Sequence, residues 1–96
     1  MFQAKNVEPE LKRILKDNRK VNKLQLADIQ IRIQEIIQDI EAGKYDTAEV
    51  TATEVSVILE FLFITKELTL EEYNNLCIFV NVIANEGQRR REEQEA

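Results

Sequence analysis

Few side chains in this 96-residue sequence have the chemistry to catalyse a reaction. There is no histidine, which removes the usual general base at neutral pH and the commonest metal ligand. The single cysteine, Cys77, shares a helical stripe with Leu76, Val80 and Ile83, where a thiol behaves as a small hydrophobe rather than a nucleophile. Two glycines, Gly43 and Gly87, are too few for a glycine-rich phosphate loop. Carboxylates are plentiful, but the Glu-x-x-His pairing that holds di-iron centres in helical bundles is missing. These absences predict a chain without enzyme activity, cofactor or bound metal. Glu60 stands among Val57, Ile58, Leu59, Phe61 and Leu62. Its plain role is an exposed residue on a narrow polar face; its sharper role is an acid that pairs with Arg32 or with a partner's basic group.

Charge offers a second kind of chemistry, and it is unevenly spread. The net charge is −5, yet residues 1–24 hold seven Lys/Arg against three acids, and residues 25–86 hold three against twelve. The basic positions Lys12, Arg13, Lys16, Arg19 and Lys20 could face nucleic acid. No aromatic residue is interleaved for base stacking and no helix-turn-helix pattern follows, so a solvated helix face is the stronger reading. The acidic body repels phosphate and better suits a basic protein surface. Arg89–Arg91 is followed at once by Glu92 and Glu93, as in a solvated tail.

The elements that must carry these groups are helical. Pro9 suits a first helical turn, and Leu11, Ile14 and Leu15 keep the spacing of a short amphipathic helix ending near Asn18. From about Asn22 to Ala42, Leu26, Ile29, Ile33, Ile36, Ile37 and Ile40 form one core stripe, and Gly43 marks its end. Leu24 and Ile31 lie on the opposite side of that helix. Lys44 to Ala48 reads as a connection. Thr51-Ala-Thr-Glu54 and Thr69-Leu-Glu-Glu72 each read as a capping box, with Val50/Val55 and Leu68/Tyr73 as the accompanying hydrophobic staples. They predict a C-terminal hairpin of helices over about 51–66 and 70–86, with Gly87 as the final stop. Val55, Val57, Leu59, Phe61 and Phe63 also alternate as in a strand, but no Asn-Gly or Asp-Gly turn supplies a hairpin partner.

The chain is therefore expected to be all-α: one domain over residues 1–87, a small bundle of about four helices, and a charged tail at 88–96 that is frayed or disordered. The longest apolar run is too short for a bilayer and the N-terminus lacks a signal-peptide core, so a soluble cytoplasmic location is expected, with no membrane contact. A lone cysteine fits a reducing compartment.

The hairpin helices carry more apolar surface than two short companions can cover. The helix at 51–66 has an apolar arc of roughly 260° on a helical wheel. The helix at 70–86 has one stripe of Tyr73, Leu76, Cys77, Val80, Ile83 and Ala84. A second stripe is formed by Ile78, Phe79 and Val82, with Asn74, Asn81 and Asn85 between the two. Such an excess points to a homodimer or to a protein partner, with a monomeric core in which the first two helices cover both stripes as the plain alternative. The expected partner contacts are Ile78, Phe79 and Val82 with those asparagines, or the acids Glu60, Glu67, Glu71 and Glu72. In element order alone the layout resembles that of small bacteriocin immunity proteins, helical bundles of similar length that are often basic where this chain is acidic. The leading expectation is a non-enzymatic interaction protein, a small bacterial or phage-encoded inhibitor, regulator or immunity-type factor. A nucleic-acid-associated regulator using the basic first helix, or an oligomerisation module of a larger assembly, are the alternatives.

Overall fold

The isoleucines of the second helix recur at intervals of three and four, which winds them onto one side. In the structure, a computed structural model describing residues 3–95, Ile29, Ile33, Ile36, Ile37 and Ile40 are the buried face of that helix, Lys23–Glu41. Met1 and Phe2 of the predicted domain, and Ala96 of the predicted tail, lie outside the described residues. Numbering the helices in chain order, α1 is Val7–Ile14, preceded by a 3-10 turn at Ala4–Asn6, and α2 is Lys23–Glu41. Tyr45–Ile64 forms α3, and Leu70–Glu95 forms α4. Among the described residues there is no strand; the fold is all-α.

Helices α2, α3 and α4 form an antiparallel three-helix bundle, with α3 packed between the other two. The short α1 lies across α2 and α4 and does not pack on α3. Its Val7, Leu11 and Leu15 close one side of the core over the α2 isoleucines. Val55, Leu59 and Leu62 of α3 and Leu76, Phe79, Val80 and Ile83 of α4 complete it.

Helix ends follow from unsatisfied backbone groups. The Asn22 side chain accepts from the Gln25 N–H at 2.8 Å and starts α2. At its other end Gly43, with φ +75°, donates to the Ile40 carbonyl at 3.1 Å, and Lys44 donates to Asp39 at 2.7 Å. This pair of bonds is a Schellman motif, and glycine is the residue that adopts its left-handed position without strain. The same motif ends α3, where Lys66 donates to Phe63 at 3.0 Å and Glu67 to Leu62 at 2.9 Å. Here the left-handed residue is Lys66, at φ +67°. Thr69 then starts α4 as expected: its hydroxyl accepts from the Glu72 N–H at 3.1 Å, and its own N–H donates to the Glu72 carboxylate at 2.9 Å.

Two predicted boundaries are corrected. Thr51–Glu54 is not a capping box, because α3 has already begun at Tyr45, with Ala48 donating to the Lys44 carbonyl. Thr51 is buried inside the bundle, and Glu54 pairs with Arg32 of α2 instead. Gly87 is likewise no stop, since α4 continues to Glu95. A Cβ at Gly87 would stand 3.0 Å from two side-chain carbons of Ile40, so this position permits the close approach of α4 to α2. Both extensions share one cause. Tyr45 and Ala48 pack into the core, and Arg91 ion-pairs with Asp46 and Glu49, so the extended ends of α3 and α4 hold each other. Each lacks a local start or stop signal because its stability is tertiary.

Candidate partner-binding surface

Helix α3 shows how the sequence excess is resolved. Its wide apolar arc is shared between a core face, Val55, Leu59 and Leu62, and an outward face that nothing in the bundle covers. On that face Val50, Val57, Phe61 and Ile64 recur at spacings of seven, four and three, which places them in one line along the helix. Val57 is 61% exposed, Phe61 59% and Ile64 66%. Two hydroxyl residues on the helix are satisfied locally: Thr53 donates to the Glu49 carbonyl and Ser56 to the Ala52 carbonyl.

The stripe borders the outer groove between α3 and α2. A hollow of about 460 Å³ opens there, lined by Val57, Ile58, Phe61 and Leu62 from α3 and by Gln25 and Asp28 from α2. Arg32 crosses the groove, bonding Asp28 on its own helix at 3.1 Å and Glu54 on α3. The hydrogen bond that Arg32 donates to Asp28, then the Asp28 charge, raises the Arg32 pKa above its ordinary value. Glu60 is exposed, as its place on a narrow polar face predicts, and the alternative pairing with Arg32 is not made, since Arg32 bonds Asp28 and Glu54.

The predicted contact residues of α4 are only partly on the surface. Ile78 is 60% exposed and Val82 is exposed, beside the exposed Asn74, Asn81 and Asn85. Phe79 corrects that prediction: it is 4% exposed and belongs to the core, because it falls 100° from Ile78 and faces the same way as Leu76 and Ile83. Val82 lines a separate hollow of about 720 Å³ between α1 and α4, with Asn6, Pro9, Glu10 and Arg13 on its other wall.

The predicted acids are divided too. Glu71 is exposed, whereas Glu72 is committed to the start of α4 and Glu67 accepts from the Thr65 hydroxyl. Between them sits Asn18, a residue the sequence reading used only as a helix end. Its amide donates to the Glu67 carbonyl at 2.8 Å and to the Glu72 carboxylate at 3.0 Å, and its oxygen accepts from the Lys20 and Val21 N–H groups. One side chain therefore ties the α1–α2 loop to the α3–α4 turn.

The basic segment is exposed, and two of its members are paired within α1. Lys12 bonds Glu8, which lowers the Glu8 pKa, and Arg13 bonds Glu10, which lowers that of Glu10. Lys16, Arg19 and Lys20 line a crevice whose opposite wall includes Glu67, Glu71 and Glu72. The C-terminal arginines are also engaged: Arg89 with Glu86 and Glu93, Arg90 with Glu86, and Arg91 with α3.

Cys77 is half-buried beside Tyr73, whose hydroxyl it pushes above its ordinary pKa, with Glu60 adding a smaller effect. Tyr73 stacks on Phe63 with ring centres 4.8 Å apart. Among the described residues no group of three or more Cys, Asp or Glu is arranged around a common metal position, and no helix is long and apolar enough to cross a membrane. No protein-family model matches this chain, and no curated protein and no solved structure is significantly similar to it.

Proposed function

We propose that this chain is a non-enzymatic interaction module, a small inhibitor or regulator that works in the cytoplasm by covering a surface of a partner protein. The observation that carries this reading is the outward stripe of α3. Four large apolar side chains in line on a rigid helix are more than scattered surface hydrophobics, and such a line is what helix-in-groove recognition uses. Phe61 stands near its centre and is the natural anchor, since aromatic residues dominate interface energies. The exposed Ile78, Val82 and asparagines of α4 form a second, more polar candidate face.

The test is capture from the source cell with tagged wild-type chain and the Phe61→Lys variant, with bound proteins identified. Proteins retained by the wild type and lost with Phe61→Lys support the reading. Identical capture by both chains rejects the α3 stripe as the working surface.

A further inference from the structure

Resting on that reading, we infer that the element seated on the α2–α3 groove is a basic amphipathic helix of a partner protein. The apolar line from Val50 to Ile64 spans 14 residue steps, or about 21 Å at 1.5 Å per step, which matches roughly four turns of an opposing helix. What flanks it is acidic. Helix α3 carries Asp46, Glu49, Glu54 and Glu60 and no lysine or arginine. The wall formed by α2 adds Asp28, Glu35 and Asp39, and Arg32, its base on this side, is already shared between Asp28 and Glu54. Glu35 and Glu60 are exposed and make no ion pair among the described residues. An apolar floor between acidic edges is complementary to a helix with an apolar face and Lys/Arg borders.

The same charges argue against a second copy of this chain. Packing α3 on its own duplicate sets Glu54 and Glu60 against acids of the copy in either direction, with no base on the helix to relieve them. The basic α1 of a copy is no substitute, because its apolar face, Val7, Leu11 and Leu15, is already buried in its own core.

The test uses two fluorescent peptides of roughly 18 residues, long enough to form a helix on binding. Both have a leucine face; one carries lysine elsewhere and its twin carries glutamate. Affinity is read by anisotropy and the contact surface by amide shifts of the full chain. The Leu/Lys peptide is expected to bind with shifts centred on Val57, Phe61 and Ile64, and to weaken about tenfold with Phe61→Lys or Val57→Lys. The double variant Glu35→Lys, Glu60→Lys is expected to weaken it several-fold and to flatten its salt dependence, while Ile78→Lys leaves it unchanged. Equal binding of the Leu/Glu twin, or Leu/Lys binding that ignores Phe61 and Val57, overturns the inference. So does a two-chain mass by light scattering that falls to one chain with Phe61→Lys, which would make a second copy the occupant. Partner capture that depends on Phe61 while the Leu/Lys peptide does not would retain the interaction module and reject the basic helix.

Discussion

The two ends of the bundle are built on different principles. At the end where α3 passes to α4, each boundary is made by hydrogen bonds between near neighbours in sequence: the Schellman bonds of Lys66 and Glu67, then the Thr69–Glu72 capping box. Asn18 reaches in from far along the chain. At the opposite end, α3 begins without a side-chain cap and α4 runs past a glycine. There the helices are held by the close approach of Gly87 to Ile40, with Ala48, Ala52 and Ala84 lining the crevice between α3 and α4, and by Arg91 reaching across to Asp46 and Glu49. Local grammar therefore predicts the first end and misreads the second. A helix end can be set by its own residues or by what lies beside it, and only the first kind is written in a short stretch of sequence.

Substitution at Gly87 separates the two principles most sharply. If it were a stop, Gly87→Leu would lengthen the helix at little cost. Because its missing Cβ admits Ile40, Gly87→Leu is expected to destabilise the chain by about 3 kcal/mol in urea unfolding, the upper range for overpacking. At the other end Asn18→Ala removes two donated and two accepted hydrogen bonds at a half-buried position, with an expected loss of about 2 kcal/mol in the same measurement. A loss near zero would leave that end wholly local.

The paired Schellman turns allow a smaller and opposite test. Lys66→Gly relieves a left-handed side chain and is expected to stabilise by about 0.5–1 kcal/mol, whereas Gly43→Ala introduces that strain and costs about 1 kcal/mol. Both are read from thermal melts, and the same sign for the two would contradict the geometry. The smallest effect concerns the α4 extension. A hydrogen bond from Arg89, with Arg90 adding to it, lowers the Glu86 carboxyl from its ordinary value to about 2. Its folded value lies below its unfolded one, so its contribution is complete above the ordinary carboxylate range and is lost as pH falls through about 2. Carboxyl NMR should show that midpoint and reduced order of residues 88–95 below it; a midpoint near 4.5 would show that the pairs do not persist in solution.

Much of the surface question was also present in the sequence, though not its location. The excess apolar arc of α3 was legible from the helical spacing of its residues, and the acidity around it from the uneven spread of charge. The assignment to Ile78, Phe79 and Val82 failed at Phe79 because a wheel drawn for one helix cannot say which of two apolar sides meets the core. In α3 the same ambiguity hid the line of Val50, Val57, Phe61 and Ile64. The charged α1 already read more as a solvated helix face than as a surface for phosphate, and Lys12 and Arg13 pair with Glu8 and Glu10, one turn away on the same helix.

By itself the sequence determined the helical class, the isoleucine face of α2, the glycine end at 43 and the capped start of α4. All of these depend on periodicity or on bonds spanning a few residues, and such interactions are encoded where they act. Only the tertiary structure decided where α3 begins, how far α4 runs, and which apolar line is left outside. Those outcomes depend on which side chains from distant segments are available to bury or pair a surface, so they have no local signature. The uncovered line on α3 is the remainder after that competition, set by the placement of α2 and α4 on its other sides.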